Sequence, residues 1–216
     1  MENDTNKRSF VITISRQFGC GAREIGLIVS RELGIPYYDK ELLLEAAKSS
    51  GVKTEVFEAA DERTPSFFSG LWSFNIGYNS GVHYVGNTPQ SDDGIYRAQS
   101  DVMIEIARRG PCVIVGRTAD YILRSHTEVI SIFIHASLED RVRRMIARGD
   151  CKTEKEAEKM TEKKNRERAD YYNFYTGKNW GDAASYDLSV DESKLGVEGT
   201  AQVILAYIRS RLHSPE

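Results

Sequence analysis

Short runs of β-branched and apolar residues alternate along this chain with stretches whose apolar positions recur every three or four residues. Phe10-Val11-Ile12-Thr13-Ile14 reads as a strand ending at Ser15, and Gly19-Cys20-Gly21 as a turn. Ile25, Ile28, Val29 and Leu33 then keep helical spacing until Gly34 and Pro36 stop it. Ile35 to Tyr38 reads as a second strand, with Asp39 placed to cap a helix through Leu42 to Ala46. Residues 98–108 are helical in pattern, Gly110-Pro111 breaks them, and Cys112 to Val115 is a continuous apolar run ending at Gly116-Arg117. Val129 to Ile134 is another such run, followed by Ser137 and Asp140 as a helix-capping signal. Tyr186 to Val190 supplies a late strand, and Val203, Ile204, Tyr207, Ile208 and Leu212 form the stripe of a closing helix. Continuous apolar runs suit strands covered on both faces. The pattern therefore predicts an α/β fold with a mostly parallel sheet of about five strands and helices on both sides. Ligands of such sheets sit beyond the carboxyl ends of the strands.

Two segments depart from the alternation. Thr64 to Ser91 carries no Asp, Glu, Lys or Arg, yet contains Phe67, Phe68, Trp72, Phe74, Tyr78 and Tyr84. So many aromatics are costly to leave wet, and the segment is expected to pack over a site, against a second copy of the chain as a homodimer, or as an irregular loop on the core. The stretch from Thr153 to Asp170 opens with the capping box Thr153-Glu154-Lys155-Glu156 and is charged on nearly every face, with only Ala157 and Met160 expected to look inward. It is either a solvated helix or a hinged arm that closes over a charged ligand.

Bulk properties narrow the function. With 216 residues the chain fits one domain, and its net charge of -3 offers no global attraction to polyanions, so nucleic acid is not the expected partner. The three widely spaced cysteines lack the pairing of a zinc site or a disulfide framework, and a reducing cytoplasm suits them. No apolar stretch approaches the ~20 residues that span a bilayer, so no membrane partner is expected. The four histidines have no metal-ligand spacing.

The candidate chemistry begins at Ser15 to Glu24, between a strand and a helix, where main-chain amides and the helix dipole favour an anion. The segment is either a phosphate loop or an ordinary glycine turn. It departs from G-x-x-x-x-G-K-[ST]: Arg16 stands at the first glycine, Ala22 at the lysine and Arg23 at the hydroxyl position.

Several segments taken in order decide the comparison. Ile12-Thr13-Ile14-Ser15-Arg16, Gly19-Cys20-Gly21, Ile25-Gly26 and Leu33 to Glu41 resemble the opening of the cytidylate-kinase-like family, a divergent branch of the nucleoside monophosphate kinases. Val113 to Leu123 resembles its strand-end Gly-Arg segment, and Arg166 to Asp182 with Tyr186-Asp187-Leu188 resembles its lid and last strand. The resemblance implies a three-layer P-loop kinase fold in a single domain over 1–216: a core of residues 8–60, 97–150 and 183–213, an acceptor-side insertion at 61–96 and a helical lid at 151–182. It implies phosphoryl transfer from ATP, with Mg2+ bridging the donor phosphates, to a nucleoside monophosphate such as CMP or dCMP. Such transfer relies on positioning and on positive charge around the moving group.

By resemblance, the donor phosphate loop comprises Arg16, Gly19, Cys20, Gly21, Ala22, Arg23 and Glu24, with Arg16 or Arg23 supplying the charge of the absent lysine and Glu24 assisting a metal whose ligands are otherwise unassigned. Arg117 would grip the acceptor phosphate or base, with Asp39, Arg97 and Asp120 also on the acceptor side. Among Arg141, Arg144, Arg148 and Arg168, the lid-side arginines, Arg141 and Arg168 are expected to reach the transferring phosphates, and with Arg23 and Arg117 they form the expected catalytic set. A catalytically silent nucleotide-binding module, or a kinase for another small acceptor, fits the same pattern.

Overall fold

The structure is a computed structural model that describes residues 10–39, 42 and 92–213, without the side chains of residues 92–95 and 98. The expected helix beyond Leu42 and the aromatic segment at 64–91 lie outside the described residues. Five parallel strands form one sheet in the order β2-β3-β1-β4-β5. They are β1 (Phe10–Arg16), β2 (Tyr37–Tyr38), β3 (Cys112–Val115), β4 (Glu128–His135) and β5 (Leu188–Asp191). The helices are α1 (Ala22–Leu33), α2 (Asp92–Arg109), α3 (Ala119–Leu123), α4 (Leu138–Ala147), α5 (Glu154–Thr176) and α6 (Glu192–His213).

The strand runs lack polar alternation because both faces of the sheet are covered. Ile12 and Ile14 of β1 point into a cluster with Ile25 and Val29 of α1 and Ile204 and Ile208 of α6. Val11 points the other way, into a cluster with Met103 and Ile106 of α2 and Leu123 of α3. The result is the expected three-layer arrangement. A third, smaller cluster joins Val142 and Met145 of α4 to Ala157 of α5.

Local chemistry explains where the elements differ from the sequence pattern. The second strand is only Tyr37–Tyr38, because the Ile35 amide donates to Ser30 O at 3.1 Å to close α1, and Pro36 has no amide to give to a ladder. Gly34 takes the left-handed conformation at φ 64 that ends α1, and its amide donates to Arg31 O. Both expected caps form: Ser137 Oγ accepts from Asp140 N at 3.1 Å, and Thr153 Oγ1 accepts from Glu156 N at 3.2 Å. Helix α2 starts at Asp92 rather than residue 98. Helix α6 starts at Glu192 and bends at Gly196, so its buried stripe runs through Ala201, Ile204, Leu205 and Ile208, while Val203 is left on the exposed side.

Helix α5 departs most from its expected character. It continues to Thr176, and Thr161, Tyr172 and Thr176 are buried along with Ala157. Its C-terminal half is held down because Tyr172 packs with Phe133 of β4 and Tyr186 before β5. A helix charged on most faces is thus pinned by a few apolar and aromatic residues.

Gly26 of α1 faces Tyr37, whose ring carbon would lie 2.9 Å from an added Cβ, with Ile14 and Val115 at 3.4 Å. Alanine at this position gains about 1 kcal/mol of helix propensity but overpacks a closed contact, a change that costs about 1–3 kcal/mol. Gly26→Ala is expected to lower the midpoint of thermal unfolding by a few degrees, and a rise would show that Tyr37 yields freely.

Candidate active site

A cavity of about 440 Å³ opens beyond the carboxyl ends of β1, β2 and β3 and beneath the C-terminal half of α5. The volume falls within the range of small-molecule sites, about 300–1,000 Å³. Its floor is Ser15 and Arg16 at the end of β1, Val115 to Thr118 after β3, and Tyr37 and Asp39 at β2. Helix α5 supplies Lys164, Glu167, Arg168, Tyr171 and Tyr172, and Phe18, Arg23 and Trp180 complete the wall.

The turn after β3 is bent unusually. Gly116, Arg117 and Thr118 all have positive φ, at 88, 70 and 55 respectively. Left-handed Arg and β-branched Thr are strained states that survive where the surroundings over-determine them. Here the Gly116 amide donates to Ile14 O at 2.9 Å, Thr118 O accepts the amides of Tyr121 and Ile122 at the start of α3, and the Thr118 and Tyr96 hydroxyls lie 3.2 Å apart. Arg117 Nη1 donates to Gln99 Oε1 of α2 at 3.4 Å. Burial pushes the Arg117 guanidinium well down from its ordinary value; Tyr171 works against that shift, while Arg16 and Arg168 add to it.

Arg168 crosses from α5 to the first strand. Its Nη1 donates to Arg16 O at 2.9 Å, and its guanidinium carbon lies 5.3 Å from the centre of the Phe18 ring. Burial, then the neighbouring charge of Arg16, pushes Arg168 down to about 9. Guanidinium stays protonated at neutral pH, so the shift marks the cost of holding that cation here. Arg16 is lowered too, chiefly by burial.

Arg23 is exposed and its Nε lies 3.2 Å from Asp39 Oδ2, while Asp39 Oδ1 accepts the Leu42 amide at 3.3 Å, so Asp39 holds that amide and also lines the cavity. The remaining expected site residues lie elsewhere. Arg97 is exposed on α2. Asp120 stands behind the wall, accepting from Tyr172 Oη at 2.8 Å; burial raises its pKa, and the Tyr172 hydrogen bond opposes that shift. Arg141 of α4 donates through Nε to Ala136 O at 3.0 Å and Ser137 O at 3.3 Å and does not line the cavity.

The glycine turn itself, Gly19 to Ala22, does not line this cavity, although Phe18 before it and Arg23 after it do. Gly19 and Gly21 have φ of 86 and 71, and Gly21, the residue before α1, has no side chain with which to cap it. Arg144 of α4 is the arginine that reaches this turn: its Nη1 donates to Gly19 O at 3.0 Å, and Glu192 takes both Nη1 and Nη2, at 3.1 and 2.5 Å. A Cβ on Gly21 would meet Arg144 Nη1 at 2.9 Å. The Phe18 amide donates to Asn165 Oδ1 of α5 at 2.7 Å, and buried Cys20 donates its thiol to Ile134 O. Cys20 fills space, and burial raises its pKa.

Sequence reasoning missed Lys164, Glu167, Tyr171 and Tyr172 as cavity residues. Their spacing of three, four and seven marks one helical face, a signal masked by the charges on the other faces. It also preferred Arg141 to Arg144, because spacing alone does not tell which arginine of a helix meets a carboxylate on another element.

The sequence profile of the cytidylate kinase-like family matches residues 11–194. The chain belongs to that family. It is 26% identical over 198 residues to the cytidylate kinase of Pyrobaculum aerophilum, covering 91% of each chain. It is 25% identical over 203 residues to that of Pyrococcus horikoshii, covering 94% of this chain and 90% of the relative. An uncharacterized protein from Eubacterium ventriosum has a crystal structure that superposes with a TM-score of 0.69 at 27% identity, over 94% of this chain and 99% of that one. A gluconokinase from Sinorhizobium meliloti superposes at a TM-score of 0.53 with 15% identity, over 96% and 98% of the two chains, and shows the shared P-loop kinase fold. Among the described residues, no helix is long and apolar enough to cross a membrane, and all three cysteines are buried free thiols.

Two outcomes follow from these contacts. Glu192→Ala leaves the partly buried Arg144 without its carboxylate and is expected to cost about 3 kcal/mol in denaturant unfolding; a loss below about 1 kcal/mol would make the pair a surface interaction. Asp120 has a raised folded pKa, so the folded state holds its proton longer than the unfolded chain, and stability declines as pH rises above the unfolded carboxyl range. Asp120→Asn keeps an acceptor for Tyr172 and removes that penalty. Its stability relative to the parent should therefore increase between pH 3.5 and 7, and a pH-independent difference would contradict the assignment.

Proposed function

We propose that the chain transfers a phosphoryl group from ATP to a nucleoside monophosphate, with CMP or dCMP as the acceptor. The observation that carries this reading is the gathering of Arg16, Arg117 and Arg168 around one cavity at the carboxyl ends of the strands, with aromatic side chains on its walls. Guanidinium groups suit a phosphate by offering paired donors, and Tyr37, Tyr171 and Trp180 offer flat surfaces to a base. Family membership and relatives named as cytidylate kinases over nine-tenths of the chain favour the same acceptor.

ATP would lie on the other side of the β1 end, at the glycine turn. The main-chain amides at the start of α1 and the nearby Arg144 guanidinium suit an anionic group there. Glu24, exposed in the first turn of α1, is a carboxylate that would assist a Mg2+ carried with ATP, and such an ion would neutralise charge on the donor phosphates. Helix α5 acts as the lid: it reaches both sides, through Asn165 to the turn and through Arg168 to the cavity.

One observation favours a binding module without transfer, namely Ala22 at the position of the usual lysine. Magnesium-dependent ADP formation from ATP with CMP, dCMP, UMP, AMP and GMP separates the two. The kinase reading expects turnover with cytidylates first, and ATP binding with no transfer to any acceptor would sink it. Arg117→Ala is expected to lower kcat/KM for CMP by roughly 10- to 150-fold, equivalent to about 1.5–3 kcal/mol for a hydrogen bond to a charged group. A change below threefold would remove Arg117 from the acceptor site.

A further inference from the structure

Arg16 stands where a phosphate loop has its first glycine, and its place in the sequence assigns it to the donor side. The fold turns it elsewhere. Arg16 is the last residue of β1, and β1 pairs with β3 so that Ile14 lies opposite Val115 and the Gly116 amide donates to Ile14 O. This register sets the Arg16 side chain against Gly116, where its guanidinium occupies the space that a Cβ at residue 116 would fill. Gly116 is thus required twice, by its φ of 88 and by the arginine lying against it.

From that position Arg16 lines the cavity shared with Arg117 and Arg168, while Gly19 to Ala22 do not line it. Among the described residues, neither Arg16 nor Arg168 has a carboxylate within ion-pair distance, and Asp39 is engaged by Arg23. Neighbouring partly buried cations repel one another, and an uncompensated buried charge is costly. The arrangement is explained if an anion of at least two charges completes it. We infer that Arg16 holds the phosphate of the acceptor, a phosphate monoester dianion, together with Arg117 and Arg168, and does not serve the donor phosphates. The inference rests on the kinase reading only for the word acceptor; the anion site itself stands on the geometry.

The experiment uses the full chain, with thermal unfolding and titration calorimetry against inorganic phosphate, CMP, cytidine and ATP, each added singly. Inorganic phosphate and CMP should raise the unfolding midpoint of the parent, and cytidine should not. Arg16→Met, which keeps the length of the stem and removes the charge, should unfold at the same or a higher temperature without ligand. It should lose the phosphate-induced shift and bind CMP at least tenfold more weakly, about 1.4 kcal/mol, with ATP affinity within twofold of the parent. Arg16→Lys keeps the charge without the fork and should recover part of the phosphate shift. It also serves as the test if the methionine variant fails to fold. An undiminished phosphate shift in Arg16→Met, or an equal loss of ATP and CMP affinity, would overturn the inference. A phosphate shift that depends on Arg16 in a chain that transfers to no acceptor would instead overturn the kinase reading and leave the anion site standing.

Discussion

Strand β1 is paired in parallel on both edges, with β3 on one side and β4 on the other, and the position of every group discussed above depends on that double pairing. Parallel neighbours end at the same edge of the sheet, so the last residue of β1 and the residues after β3 emerge side by side. The pairing continues past the strands: the Gln17 amide donates to Ile134 O at 3.0 Å, and the Gly116 amide to Ile14 O at 2.9 Å. Ile12, Ile14, Val113 and Ile132 are buried on one face and Val11 and Ile114 on the other, and this holds the register against slippage, because a one-residue shift would exchange the two sets. A core interaction thereby fixes the distance between two arginines far apart in sequence.

The cost of the site is spread over its surroundings. Three guanidinium groups share one cavity, and two residues with side chains, Arg117 and Thr118, are held in left-handed conformations beside it. Both features oppose stability in the free protein, and both occur where strain and charge are usually found in working proteins. The compensation comes from helices pinned at specific points. Tyr172 ties α5 to Asp120, Asn165 ties it to the Phe18 amide, and Glu192 fixes Arg144 against Gly19. The first two of these contacts link the helix over the cavity to both the glycine turn and α3, the helix after β3.

Much of the architecture was legible in the sequence because it follows from periodicity. The runs at Phe10, Cys112 and Val129 became the three central strands, and Ser137, Thr153 and Gly34 marked helix ends where the structure has them. The expectation failed where a donor or a partner decided the outcome. Ile35 left the second strand because its amide was already committed to Ser30, and the part of α5 beyond the charged stretch is buried because Tyr172 packs with Phe133 and Tyr186 of other segments. In the site, Arg117 and Arg168 could be named from a strand end and a family resemblance, and both line the cavity. Arg144 could not be preferred over Arg141, since Glu192 lies 48 residues away and only the fold brings it near. The direction taken by Arg16 was equally hidden, because it depends on the strand register and on the absence of a side chain at Gly116.

The central claim is that the arginine cluster beyond β1 and β3 receives the acceptor phosphate while the glycine turn receives the donor. The most direct measurement is a crystal structure of the full chain grown with CMP, an unreactive ATP analogue and Mg2+. The account predicts the CMP phosphate within about 3 Å of guanidinium nitrogens of Arg16 and Arg117 or Arg168, with the donor phosphates on the amides that open α1. A CMP phosphate seated on those amides, with the arginine cavity holding only solvent, would contradict it.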